Sequence, residues 1–287
     1  MKPAQFDYVR PQSAAEAVRA LAESDDCKVL AGGQSLVPLM NFRLAQPPLL
    51  VDINRLTELA GITEVDGALR IGAMTRTRRL ETSALVTERI PVLAAAAHWV
   101  GHVQIRNRGT VGGSIAHGDP SAELPAMCVL LDAEMILVSS GGTRAVSAGD
   151  FFEGFLTTVV EPDELLTEVH IPIPAAGAVW GFSEYAQRAG DFALAGVGCV
   201  VDRHAGTAGL VAFGPSERPM RCPSAEEILR VDGLSLDRVS DVADAATADV
   251  VAATEAVDAE AVHRVATVRA MARKAVEQAV RMTGEQR

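Results

Sequence analysis

Two glycine turns, set far apart in the chain, carry the residues best suited to chemistry. The first is Ala31-Gly32-Gly33-Gln34-Ser35-Leu36, directly after an apolar run that ends at Leu30. Lacking side chains, Gly32 and Gly33 let backbone N–H groups approach an anion closely, and Gln34 and Ser35 can add side-chain hydrogen bonds. The plain alternative is a tight turn between strand and helix, because Gly-Gly pairs are common turn formers. The second turn is Thr110-Val111-Gly112-Gly113-Ser114, with a hydroxyl at each end and Arg106 and Arg108 just ahead. Two such turns suit a ligand with two phosphates and a polar sugar linker better than a mononucleotide. On this reading Gly33→Val or Gly113→Val fills the space a phosphate needs and leaves folding largely intact.

Around the second turn lie further polar residues. His117 follows it closely, and Asp119 either serves the site or caps a helix that Pro120 begins. Glu123 can accept hydrogen bonds from ribityl or ribose hydroxyls, or remain solvated. His98 and His102 stand four apart on a predicted helix, a spacing that can put two imidazoles on one metal, but no acidic third ligand follows. Other signatures are missing: there is no GxGxxG opening a βαβ unit, no GxxxxGK[ST], no HExxH and no GxSxG.

The elements that must position these turns read as α+β. Ser13-Ala14-Ala15-Glu16 matches a capping box that opens a short helix to about Ala22. Strand, glycine turn, helix and strand follow, from Cys27–Ala31 to Leu49–Ile53. Asp66-Gly67 marks a hairpin, and a helix over Ile90–Val100 leads into a long loop from Gly101 to Gly118. A helix over Ala122–Leu131 precedes a second hairpin at Gly141-Gly142. Past a Pro/Ala/Gly segment at Pro172–Gly177 come strands at Gly181–Tyr185, Leu194–Val201 and Leu210–Phe213, then helical patterns to Met282. In the last helix Val262, Val265, Val268, Ala272, Val276 and Ala279 form an apolar stripe that belongs to a core. The expected division is residues 1–176, in subdomains of about 1–58 and 59–176, followed by 177–287.

Bulk properties narrow the function classes. A net charge of -11 disfavours nucleic acid and anionic lipid, which are repelled over a Debye length of about 8 Å. Only Lys2, Lys28 and Lys274 are lysines, so positive charge is mostly arginine, much of it between Arg70 and Arg108. Cys27, Cys128, Cys199 and Cys222 show no ligand spacing, so neither zinc nor an iron-sulfur cluster is supported by the sequence. No signal-peptide core and no apolar run of about 18 residues appears, and a cytoplasmic location without a membrane span is expected.

Taken together, Ala31-Gly32-Gly33-Gln34-Ser35-Leu36-Val37-Pro38, the stretch from Gln104 to Ser114 and Gly190-Asp191-Phe192-Ala193 resemble the FAD-binding medium subunit of the carbon monoxide dehydrogenase and xanthine dehydrogenase family of molybdenum hydroxylases. The resemblance spans essentially the whole chain. It implies a vanillyl-alcohol-oxidase-like (PCMH-type) FAD-binding domain of two subdomains and a smaller C-terminal α+β domain with a three-stranded sheet and helices. It further implies that Ala31 through Leu36 and Thr110 through Ser114 hold the FAD diphosphate, that Glu123 and Leu166 contact the cofactor, and that Asp191 and Phe192 lie near the isoalloxazine ring. His117 and Asp119 belong to the same set, in a loop that varies among relatives. No catalytic side chain and no metal ligand is assigned. The implied partners are a large molybdopterin-binding subunit and a small 2Fe-2S subunit, in a heterotrimer or a dimer of heterotrimers. Some relatives carry lysine near Glu184, where a carboxylate opposes negative charge on a reduced flavin. Two rival functions are a self-contained flavin oxidase of a small organic substrate and a docking or maturation subunit that has lost the cofactor.

Overall fold

The computed structural model describes residues 1–24, 26–231, 233–254 and 259–284, with only the backbone for 259–262. β1 (Asp7–Val9) leads to α1 (Ala14–Ala22), whose start follows from its cap, as the Glu16 N–H donates to Ser13 Oγ at 3.2 Å. The return arm of the capping box is shifted by one residue: Glu16 Oε2 accepts from the Gln12 N–H at 2.7 Å. β2 (Lys28–Leu30), α2 (Leu36–Asn41) and β3 (Leu49–Asp52) complete a parallel sheet in the order β1-β3-β2. Ala17, Val18 and Leu21 of α1 pack with Val51 and Ile53 in a small core of their own. The expected order of strand, glycine turn, helix and strand is therefore present. β1, exposed along its length, offers no apolar pattern to announce it.

The middle of the chain runs through β4 (Ile62–Val65) and β5 (Ala68–Gly72), then α3 (Thr77–Thr82), α4 (Ala84–Arg89), α5 (Pro91–Trp99), α6 (Val103–Arg108), α7 (Val111–His117) and α8 (Glu123–Leu130). β6 (Glu134–Ser139), β7 (Gly142–Ser147), α9 (Ala148–Phe151), β8 (Phe152–Gly154), β9 (Thr157–Thr158) and β10 (Leu165–Pro172) follow. An antiparallel sheet results, in the order β4-β5-β10-β6-β7. Both hairpins are found, and in the first Asp66 and Gly67 take positive φ of 51° and 78°, the conformation a type I′ turn demands.

Two sequence expectations fail in this region. The stretch from Gly101 to Gly118 is not a long loop but two short helices, α6 and α7. At six and seven residues they are too short to show helical periodicity, and the glycines inside α7 mask it further. Asp119 does not cap a helix either. Its Oδ1 accepts from the Ser121 N–H at 2.8 Å, closing a local turn, and α8 begins only at Glu123 with Ala122 at the cap position.

The last part builds β11 (Val179–Tyr185), β12 (Ala195–Asp202), β13 (Thr207–Phe213) and β14 (Met220–Arg221), then α10 (Pro223–Val231), α11 (Val239–Ala253) and α12 (Ala259–Met282). The sheet has four strands rather than the expected three, because the two-residue β14 pairs with Val211 and Ala212 and is too short to leave a pattern. α8, buried along its whole length, covers one face, where a Cβ on Gly198 would lie 2.8 Å from Met127 Cε. The opposite face packs on α10, α11 and α12, with Val265, Val268, Ala272, Val276 and Ala279 buried as the stripe predicts. Val262 lies outside the residues whose side chains are described.

Candidate functional site

The two glycine turns meet. A Cβ on Gly32 would sit 2.4 Å from the Arg108 carbonyl oxygen and 2.8 Å from Gly109 Cα, and a Cβ on Gly113 would lie 3.6 Å from that of Ala31. Beside the contact opens a cavity of about 430 Å³, lined by Ala31, Gly32, Gly33 and Gln34, by Val37, Pro38 and Asn41 of α2, and by Asp52, Asn54 and Arg108. Ser35 and Leu36 continue from it into α2.

Each glycine has a specific reason to be there, and phosphate clearance is not the first. Gly32 is required by the Arg108–Gly109 backbone pressed against it, and Gly33 by its φ of +74°. In the second turn a Cβ on Gly112 would meet Ala73 Cβ at 2.4 Å, and one on Gly113 would meet Thr110 Oγ1 at 2.6 Å. The expectation that valine at Gly33 or Gly113 leaves folding largely intact is therefore corrected, since strain or the protein's own atoms resist the new side chain before any ligand does.

The backbone N–H groups divide in the same way. Those of Gly32, Gly33, Gln34 and Ser35 donate to no described residue. Those of Val111 and Gly112 donate to Thr75 O and Ala73 O at 2.9 and 2.8 Å, Gly113 donates to Thr110 Oγ1 at 3.2 Å, and Ser114 to Thr110 O at 3.1 Å. Gln34 turns its Nε2 back to Gly32 O at 3.1 Å, and so braces the first turn. A diphosphate fits the first turn, where free amides border an open cavity. The second turn offers the half-buried Ser114 hydroxyl and little unused backbone.

Beyond the second turn, α7 leads to His117, whose imidazole burial pushes below its ordinary value despite the nearby Asp119 carboxylate. Glu123, at the start of α8, is 6% exposed, and Glu184 on β11 is 7% exposed. Glu184 shares a face of β11 with Phe182, which packs in the same core as α8. Burial drives the Glu123 carboxyl up to about 7, Asp119 adding to the effect, and drives Glu184 up to about 8, with Glu123 adding to it. Glu184 Oε2 has no hydrogen-bond partner among the described residues. Two buried carboxyls that repel each other's charge titrate as a pair, and both burial and that repulsion favour keeping a proton on the pair.

Leu166 lies in β10 within the main core, 5% exposed. Asp191 and Phe192 are exposed in the turn between β11 and β12, which abuts the start of α6: a Cβ on Gly190 would lie 2.5 Å from the His102 ring. His98 and His102 do not act together. α5 ends at Trp99, Gly101 takes a φ of +50°, and His98 instead bonds Glu81 Oε1 at 2.9 Å. Glu81 also accepts from Arg78 at 2.6 Å and Arg106 at 2.9 Å. Burial opposes its charge, but these partners prevail and hold its carboxyl down at about 2. Part of the arginine-rich stretch thus serves the fold rather than a ligand. Sequence reading missed Asp52 and Asn54, whose only signal is two polar residues closing the apolar run of β3.

Comparison with known proteins gives the family and the fold. Residues 4–174 match the family described as the FAD binding domain in molybdopterin dehydrogenase. The chain is 41% identical over 251 residues to the 6-hydroxypseudooxynicotine dehydrogenase complex subunit alpha of Paenarthrobacter nicotinovorans, covering 86% of this chain and 85% of that one. It is 42% identical over 208 residues to the carbon monoxide dehydrogenase medium chain of Hydrogenophaga pseudoflava, covering 72% of each. The structure of carbon monoxide dehydrogenase from Hydrogenophaga pseudoflava lacking the Mo-pyranopterin moiety has a chain that superposes with a TM-score of 0.92 at 37% identity, covering 98% of this chain and 99% of that one.

Proposed function

We propose, from the premise that this chain belongs to the family of FAD-binding domains of molybdopterin dehydrogenases, that it is the FAD-carrying electron relay of a molybdenum hydroxylase complex. In this role it accepts electrons from the iron-sulfur clusters of a small partner subunit, while a large molybdopterin subunit oxidises the substrate, and it delivers them to an external acceptor. The observation that carries the reading is the cavity beside the joined turns, lined by Gly32, Gly33 and Gln34, whose N–H groups, like that of the adjoining Ser35, donate to no described residue.

FAD, when bound, supplies two-electron redox chemistry, and the chain's own residues bind it, orient it and set the charge around it. Ala31 through Leu36 hold the diphosphate on backbone amides. The second turn is tied to Thr75 and Ala73 through Val111 and Gly112, is capped by Thr110, meets Ala31 at Gly113, and adds the Ser114 hydroxyl. His117 at the end of α7, Asp119 in the turn after it, Glu123 at the start of α8 and Leu166 of β10 continue the site, and Asp191 and Phe192 close its outer end. Phe192, 63% exposed, leaves an aromatic face uncovered at that end. Glu184, buried on β11 with its carboxyl pushed up by burial and by Glu123, brings no positive charge of the kind that a lysine would supply. The work is that of a cytoplasmic subunit. Among the described residues no helix is long and apolar enough to cross a membrane.

The full chain, purified alone, is expected to show oxidised-flavin absorption bands and to copurify with the small and large subunits when all three are coexpressed. With its flavin chemically reduced, it should be reoxidised by an artificial acceptor without oxidising organic substrate by itself. A colourless chain that takes up no added FAD would sink the reading.

A further inference from the structure

Along the wall of the cavity, where Asp52, Asn54 and Arg108 line it, runs a set of polar contacts that ties the two turns together. Asn54, just past β3, donates its backbone N–H and its Nδ2 to Asp52 Oδ1 at 2.9 and 2.8 Å. The same Nδ2 reaches Ala31 O at 2.5 Å and Leu30 O at 3.3 Å. Asn54 Oδ1 accepts from Arg76 Nη2 at 3.1 Å, and Arg76 Nη1 donates to Arg108 O at 2.5 Å. Two side chains therefore bridge a carbonyl of the first turn to a carbonyl at the entry of the second. Asp52 anchors the near end: burial alone would raise its carboxyl, but hydrogen bonds from the Tyr8 hydroxyl and from Asn54 hold it below its ordinary value.

The peptide bond makes these contacts directional. The Ala31–Gly32 peptide is trans, so fixing the Ala31 carbonyl toward Asn54 fixes the Gly32 N–H in the opposite direction. Arg76 acts on the other turn, where its planar fork spans two acceptors at once, something a lysine ammonium on a flexible stem does poorly. The carbonyl it grips, that of Arg108, is the one against which Gly32 is pressed.

We propose that Asn54 and Arg76 are positioning residues that act as one strap, setting the orientation of the first turn's free amides toward a diphosphate; the proposal rests on the FAD reading and deepens it. The test uses full-length Asn54→Ala, Arg76→Lys and the double variant as apoprotein. Dissociation constants for FAD, for ADP, which carries the diphosphate, and for riboflavin, which does not, are measured alongside the melting temperature. Each single variant should weaken FAD and ADP roughly tenfold, the loss of about one well-placed hydrogen bond. Riboflavin binding should stay within about twofold of wild type. The double variant should lose little more than the worse single one, because breaking either link opens the same strap. Arg76→Lys keeps charge and size, so it serves as the decisive variant if Asn54→Ala fails to fold. Unchanged FAD and ADP affinity in the variants, or an equal loss for riboflavin, would overturn the strap while leaving the FAD assignment standing. A wild-type chain that binds neither FAD nor ADP would remove the assignment itself, and the strap with it.

Discussion

Gly32-Gly33 and Gly112-Gly113 are the same dipeptide placed in two settings, and their backbones are left with different work. In the first turn the N–H groups from Gly32 to Ser35 have no described partner, and Gly32, Gly33 and Gln34 line a cavity. In the second, the N–H groups from Val111 to Ser114 are all spent on the protein, two of them on Thr75 and Ala73 after the end of β5. On the proposed reading one turn binds, while the other joins α7 to the sheet and braces the first. Glycine content announces a close approach in both cases, and only the structure says whether the approaching group is a ligand or another part of the chain.

The difference is broken most severely at Gly112. A Cβ there meets Ala73 Cβ at 2.4 Å and Ala73 Cα at 2.9 Å, atoms that cannot move without moving the sheet. Gly112→Val is expected to cost the apoprotein about 3 kcal/mol or more in denaturant unfolding, the upper range for overpacking a fixed contact. A loss under about 1 kcal/mol would mean that the second turn is not a structural joint.

pH separates the two turns next, because α7 leads from the second toward Glu123 and its partner Glu184. Both carboxyls are raised in the folded state, to about 7 and about 8. Between the ordinary carboxylate range and those values the folded chain binds more protons than the unfolded one, so stability falls as pH rises through that window. Glu184→Gln removes the charge that burial and Glu123 both oppose, and it should flatten the decline. At about pH 9 the variant should unfold later than wild type by about 1–3 kcal/mol, the scale of an unsatisfied buried polar group. Parallel stability curves from about pH 5 to about pH 9 would show that the two acids do not sense each other.

At Gly33 the expected loss is one of binding more than of folding. Its φ of +74° disfavours any side chain by about 1–2 kcal/mol, while its nearest neighbours, Val37 Cγ2 at 3.2 Å and Leu30 Cδ1 at 3.3 Å, are side-chain ends that can shift. Gly33→Ala should keep a cooperative unfolding transition yet bind FAD at least about tenfold more weakly in a fluorescence titration. Wild-type affinity in a folded variant would mean that the first turn's amides do not carry the cofactor.

How much of this was legible in the sequence follows from the range of each interaction. The first turn was readable because a glycine pair directly follows an apolar run, a local signal. The meeting of the two turns could be inferred only from the kind of ligand they suit. Asn54 and Arg76 stood beyond reach, because their bonds join residues 22, 23 and 32 positions apart with no shared motif. Glu184 was noticed as a charge, but its contest with Glu123 arises only when α8 packs on the last sheet. α6 and α7 carry no helical signal of their own, because tertiary contacts such as Gly112 on Ala73 stabilise helices that propensity alone does not.

The smallest expected effect tests the division itself. Thr110 Oγ1 caps α7 by accepting from the Gly113 N–H at 3.2 Å, and Thr110 is 2% exposed. Thr110→Val keeps the shape and removes the acceptor, which should cost the apoprotein about 1 kcal/mol, the usual value of a helix N-cap. If the second turn only positions the first, FAD affinity should fall by less than about threefold, since the freed Gly113 N–H adds a donor where the hydroxyl was lost. A tenfold loss of FAD with unchanged apoprotein stability would make Thr110 a ligand of the diphosphate. The second turn would then bind as the first does, and the assignment of joining to one and gripping to the other would fail.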